Sequence, residues 1–118
     1  MSLDKHLELR ERTKKFAIRV VRMSRVLPNN REANIISSQI IRSATGMAAN
    51  YRAVGLARSK PEFIAKIGVV VEEADETLFW LEFLAEIGIV RPARLDDLKA
   101  EAKSLVAIFV ASKKTAKS

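Results

Sequence analysis

Apolar side chains recur every three to four residues along the chain, and three prolines cut this pattern into four segments of similar length. Pro28, Pro61 and Pro92 each fall where a helix has to begin or end. This spacing predicts helices rather than half-buried strands, in which apolar and polar residues alternate. Short connections force neighbouring helices to run antiparallel. We therefore predict an all-α fold, an antiparallel up-down-up-down four-helix bundle.

The predicted helices span about residues 3–27, 31–56, 60–87 and 92–114, within the usual boundary error. One hydrophobic core suffices for 118 residues, so residues 1–118 are expected to form a single domain. The third helix has the clearest limits. Ser59 and Glu62 form a capping box around Pro61, and Gly88 supplies a left-handed stop. The apolar stripes expected to face the core are Leu9, Phe16, Val20, Met23 and Leu27 in helix 1, Ile36, Ile40, Ala44, Met47 and Tyr51 in helix 2, Phe63, Ile67, Val70, Ala74, Leu78, Leu81 and Ala85 in helix 3, and Leu95, Leu98, Ala102, Leu105 and Phe109 in helix 4.

Helix 3 is apolar over a wider arc than one core stripe requires. The additional apolar residues are Ile64, Val69, Val71, Phe79, Trp80 and Phe83. A helix of this kind favours burial on a second side, which in a small bundle is another subunit. The alternative is a wide core stripe with one or two exposed aromatic rings. We expect a homo-oligomer.

Charge is distributed unevenly between the segments. The chain carries 21 basic and 14 acidic residues, for a net charge of +7. Residues 1–27 carry eight basic and three acidic groups, whereas residues 59–90 carry two basic and seven acidic groups. A basic surplus favours polyanionic partners through long-range attraction and counterion release. Helix 3 is thus an acidic element in an otherwise basic protein.

Four cations lie on one predicted face of helix 1, namely Arg12, Lys15, Arg19 and Arg22. A row of guanidinium groups at helical spacing suits contacts with backbone phosphates. We predict that these residues, with Arg42 and Arg52, bind RNA or DNA. The alternatives are an ordinary solvated helix face, or a protein-interaction scaffold whose basic surface serves solubility or an acidic partner.

Residues needed for catalysis are scarce. There is no cysteine and one histidine, His6, and the glycines form no phosphate-binding loop. Glu-x-x-His pairs, which build di-metal sites in bundles, do not occur. We predict a protein that is not an enzyme and uses no metal or cofactor. No apolar run approaches the roughly 20 residues of a membrane span, so we expect a cytoplasmic protein with no membrane partner.

Four stretches resemble the bacterial four-helix bundle family, also called the 23S rRNA intervening-sequence protein family. They are SQIIRSA at 38–44, AANYRA at 48–53, SKPEFIAKI at 59–67 and EEADETLFWLE at 72–82. The resemblance implies a four-helix bundle assembled as a homopentamer, with no established enzymatic activity. It also implies similarity to the accessory variability determinant of diversity-generating retroelements, a basic pentamer thought to bind nucleic acid and reverse transcriptase.

One stretch departs from the family pattern. Many members follow the Ala-Asn pair with a segment that ends in Glu-Gly, whereas the segment from Tyr51 to Gly55 contains no acid. Roles argued for that glutamate therefore do not transfer. Asn50 does match, and an asparagine within a helix should bond either to a neighbouring helix or to a partner. Gly46 permits close approach of a second helix or marks a bend.

Overall fold

The computed structural model describes residues 2–118 as four α-helices with short connections. They are α1 (Leu3–Ser24), α2 (Arg31–Val54), α3 (Lys60–Ile87) and α4 (Asp96–Lys117), with one 3-10 turn (Pro92–Arg94) before α4. Helices adjacent in the chain pack together, and a smaller contact between α1 and α4 closes the bundle. The prediction of an all-α, antiparallel four-helix bundle is confirmed. The α1 and α3 helices lie at opposite corners, which separates the basic helix from the acidic one.

Side-chain caps begin the first three helices. Ser2, Asn30 and Ser59 accept hydrogen bonds from backbone N–H groups three residues on, at 3.2, 2.9 and 3.2 Å. Such caps satisfy donors that have no partner within the helix. Only half of the predicted capping box forms, because the Glu62 carboxylate accepts from the N–H of Arg58 rather than from that of Ser59. Gly88 ends α3 with φ of 76°, as predicted.

Four helix limits differ from the predicted ones. The α1 helix ends at Ser24 instead of residue 27, and the next three N–H groups bond to carbonyls three residues back. Pro28 explains this, because a residue before proline disfavours the helical conformation. The α2 helix ends at Val54, two residues early. The α4 helix begins only after the 3-10 turn and continues to Lys117, beyond the predicted residue 114.

The core is formed by the predicted stripes. All five stripe residues of α2 are buried, as are Leu95 before α4 and the four stripe residues of α4, whereas Met23, Leu27, Phe63, Leu78 and Ala85 at the rim are half-buried. The core also holds a polar contact between α2 and α3. Thr77 and Ser43 are both inaccessible, and the Thr77 hydroxyl lies 2.9 Å from that of Ser43. Both hydroxyls also contact backbone carbonyls of their own helices, so neither is left unsatisfied.

Candidate nucleic-acid interface

Arg12 belongs to an internal ion pair rather than to a free surface. Its Nε and one terminal nitrogen donate to the two carboxylate oxygens of Glu101 at 2.8 and 2.7 Å, and the same nitrogen donates to Ser104 Oγ at 2.9 Å. The hydrogen bond from Arg12 lowers the pKa of Glu101, and the pKa of Arg12 is raised in turn. This two-pronged contact joins α1 to α4, the most weakly packed pair of neighbours.

Arg42 is also engaged within the bundle. Its guanidinium donates to Glu76 of α3 at 2.5 Å and to Gln39 of its own helix at 3.1 Å. The side chain remains more than half exposed, so the contact leaves part of the guanidinium free. Arg42 nevertheless lies on the α2–α3 side of the bundle, away from the cations of α1. The structure does not bring it together with the predicted row.

The other four predicted cations are exposed, and none of them forms an ion pair within residues 2–118. Lys15 and Arg19 line a crevice between α1 and α4. Arg22 borders the groove between α1 and α2, and Arg52 lies further along that groove. The predicted set is therefore divided between the α1–α4 crevice and the α1–α2 groove. Arg22 lies on the part of α1 between these two surfaces.

A second basic row on α1 consists of Arg10, Lys14 and Arg25, and it faces α2. Lys14 and Arg25 line an open groove of about 410 Å³ whose floor includes Ala17, Ile18, Val21 and Ala48. Arg10 and Lys14 share the adjoining hollow with Arg52. The sequence signal was the four-residue step from Arg10 to Lys14, interrupted at Ile18. The first row was easier to recognise because it has no apolar interruption.

Three aromatic rings connect α1, α2 and α4. The His6 ring lies 5.0 Å from that of Tyr51, which lies 5.0 Å from that of Phe109. Burial raises the pKa of Tyr51 to about 12. Burial, with a smaller contribution from Arg10, lowers the pKa of His6 below 6.5. The His6 ring covers Gly55, where a Cβ would come within 2.5 Å of Nε2. The single histidine is thus a packing residue.

The His6 environment predicts a loss of stability on mild acidification. The unfolded chain takes up a proton near pH 6.5, while the folded state resists protonation because its pKa is lower. The free energy of unfolding should therefore fall as the pH drops below about 6.5 and towards the folded pKa. Urea unfolding at several pH values between 5 and 7.5 measures this. His6→Gln should flatten the dependence in that window, and an unchanged slope would contradict the assignment.

A polar contact between α2 and α3 accounts for Asn50 and Gly46. Asn50 Nδ2 donates to Glu73 Oε1, so the asparagine bonds to a neighbouring helix. The other Glu73 oxygen lies over Gly46, and a Cβ at that position would overlap it. Gly46 therefore leaves space for the Glu73 carboxylate. The sequence pattern predicted only that Gly46 permits close approach of a second helix or marks a bend.

The described residues include no cluster for metal chemistry. Within residues 2–118, no three His, Asp or Glu side chains lie together in a way that could hold a metal ion. Over the same residues, no helix combines the length and the apolar character needed to cross a bilayer. The arrangement offers exposed cations on α1, exposed acids and aromatic rings on α3, and open grooves between helices. These features define a class of small, charge-segregated four-helix bundle.

Comparison with known proteins assigns the family. The chain belongs to the 23S rRNA-intervening sequence protein family, which matches residues 5–111. Its fold is similar to that of a protein of unknown function from the S23 ribosomal protein family of Bacteroides thetaiotaomicron VPI-5482. That similarity has a TM-score of 0.84 and 27% sequence identity, and it covers 93% of this chain and 98% of the other. No curated protein sequence matches the chain significantly.

Proposed function

We propose that this protein is a non-enzymatic homo-oligomer that binds RNA or DNA by the backbone phosphates. The supporting observation is that Lys15, Arg19 and Arg22 are exposed on α1 and form no ion pair within residues 2–118, with the charge of Arg19 acting only at longer range on Glu101. Unpaired cations on a rigid helix can contact successive phosphates without first breaking internal bonds. Arg12 and Arg42 are engaged with Glu101 and Glu76, so they act mainly in positioning the helices.

Binding of this kind should depend strongly on salt and weakly on sequence. Each phosphate neutralised on duplex DNA contributes about −0.9 to the slope of log affinity against log salt concentration. Three such cations per subunit give a slope of roughly −3 per subunit engaged. Base edges are not needed for these contacts, so different sequences of similar shape should bind with similar affinity.

The test measures affinity for a duplex DNA and a structured RNA at several salt concentrations. Lys15→Ala/Arg19→Ala should weaken binding to both and reduce the magnitude of the salt slope by roughly 2 per subunit engaged. Arg91→Ala/Arg94→Ala is the matched control, since it removes the same charge from exposed residues at the α3–α4 connection. Failure to bind either nucleic acid at low salt, or equal effects of both variants, would contradict the proposal.

Subunit number is a separate part of the proposal. The family resemblance implies a pentamer, and the exposed aromatic residues of α3 support self-association. Light scattering on nuclease-treated protein should give about five times the 13.2 kDa chain mass. A mass of one chain would contradict assembly, and a different multiple would contradict only the pentamer.

A protein-interaction scaffold is the second candidate, and the same aromatic residues favour it. Phe79 and Phe83 are 50% and 38% exposed, which is unusual for large rings one helical turn apart. In a nuclease-treated lysate, a partner retained by the wild type and lost from Lys15→Glu/Arg19→Glu would support a scaffold for an acidic protein. Loss of all partners on nuclease treatment would support the nucleic-acid proposal instead.

A further inference from the structure

The outward face of α3 combines aromatic and acidic side chains. The rings of Phe79 and Phe83 lie 5.8 Å apart, and both contact the half-buried Trp80, at 4.9 and 5.7 Å. Exposed acids that form no ion pair within residues 2–118 accompany them, namely Glu72, Asp75, Glu82 and Glu86. We refer to Phe79, Phe83 and these four acids as the α3 ridge.

The groove between α1 and α2 has the opposite character. Its floor is apolar and contains small residues, including Ala17 and Ala48, with Ile18 and Val21 beside them. Its edges carry Lys14, Arg22 and Arg25, none of which forms an ion pair in the described part of the chain. The groove therefore offers apolar contacts for aromatic rings and cations for the acids that flank them.

We propose that the α3 ridge of one copy docks into the α1–α2 groove of a second copy. The inference rests on the proposed homo-oligomer and names the surfaces that build it. The two faces of the same chain are complementary in both charge and polarity. Because α1 and α3 occupy opposite corners, a subunit can dock its ridge on one neighbour and receive the ridge of another.

Pairing of two ridges with each other is disfavoured by their charge. A symmetric dimer built on α3 would place Glu82 and Glu86 of one copy near the same acids of the next. Like charges brought together in an interface oppose association. Ridge-into-groove docking avoids this, and it is a head-to-tail contact, which builds a ring when the rotation between subunits closes and a filament when it does not. Assembly beyond a dimer follows from the position of the two surfaces.

The proposal also divides the cations of α1 between two tasks. Lys14 and Arg25 face α2 and would contact the acidic ridge of the neighbour, whereas Lys15 and Arg19 face the α4 side and would stay accessible to phosphates. Arg22 borders the groove, so the variants change only the other four cations, which keeps assembly and nucleic-acid binding independently testable. The two rows differ by one residue in sequence but lie on different sides of the helix.

The decisive experiment combines two variants that each lack one surface. Phe79→Lys/Phe83→Lys disables the ridge, and Lys14→Glu/Arg25→Glu disables the groove. Each alone should be a monomer by native mass spectrometry at a concentration where the wild type is assembled, with self-association weakened on the order of 100-fold or more. An equimolar mixture should form a 1:1 heterodimer of twice 13.2 kDa and nothing larger, because one intact ridge meets one intact groove.

A second ridge variant protects the test against misfolding. Glu82→Lys/Glu86→Lys changes only exposed acids, and combining it with Lys14→Glu/Arg25→Glu in one chain should restore assembly through exchanged charges. Circular dichroism checks that each variant is folded. The chain's one tryptophan, Trp80, contacts both ridge rings, so its emission should shift to longer wavelength when the neighbour is lost.

Lys15→Glu/Arg19→Glu is the matched control and should leave the assembled mass unchanged. A monomeric wild type, a mixture that stays monomeric, or groove variants that still assemble would each overturn the docking proposal. If Lys14→Glu/Arg25→Glu assembles normally but loses nucleic acid, the groove binds phosphates and the proposed function survives without this interface. If Lys15→Glu/Arg19→Glu keeps both its assembled mass and its nucleic acid, the docking proposal stands and the assignment of phosphate contacts to Lys15 and Arg19 fails.

Discussion

Phe109→Ala should lower the free energy of unfolding by about 3–5 kcal/mol, the range typical of removing a fully buried phenylalanine ring. The ring is fully buried and stacks on Tyr51. Because α2 and α4 lie at opposite corners, this contact crosses the centre of the bundle. A close-packed core relaxes only partly around such a cavity, so the variant loses both the buried ring and part of the packing around it.

Urea unfolding followed by circular dichroism measures this loss. Wild type and variant are compared at the same protein concentration, since dissociation of an oligomer makes apparent stability depend on concentration. Val110→Ala is the control at the next residue, where the side chain is 47% exposed, and it should cost less than about 1 kcal/mol. A Phe109→Ala loss no greater than that of the control would contradict the central position of the ring.

The effect of Gly46→Ala on the free energy of unfolding should change sign according to the residue at position 73. Alanine in place of glycine within a helix normally stabilises by about 1 kcal/mol. Here the new methyl group displaces the Glu73 carboxylate, which removes its hydrogen bond with Asn50. A hydrogen bond to a charged group contributes about 1.5–3 kcal/mol. We therefore expect a net loss of about 1 kcal/mol in the wild-type background, after subtracting the helix gain.

In a Glu73→Ala background the same Gly46→Ala change should stabilise by about 1 kcal/mol, because nothing is left to displace. The four proteins of this double-mutant cycle are compared by urea unfolding. Ala49→Gly, at an exposed position of α2, reports the ordinary helix cost of glycine in this helix. Equal effects of Gly46→Ala in both backgrounds would show that the carboxylate moves aside without cost.

The fold was largely predictable because its determinants are local. The three-to-four-residue recurrence of apolar side chains and the positions of the prolines predicted four helices. Every predicted stripe residue is buried or half-buried. The errors at helix ends have local causes as well, such as Pro28 shortening α1. Exposure of Phe79 and Phe83 also agrees with the wide apolar arc seen in helix 3. Periodicity determines which side of a helix is apolar, but not what lies beyond that side.

The sequence by itself therefore determined the helices, their core faces and the separation of acidic from basic segments. Only the tertiary structure decided which cations are free. Arg12 and Lys15 belong to the same predicted row, but Arg12 pairs with a glutamate 89 residues away, whereas Lys15 forms no ion pair within residues 2–118. Asn50 likewise acquires its partner from another helix. The physical reason is that helical faces depend on neighbours in sequence, whereas ion pairs depend on which helices the bundle places side by side.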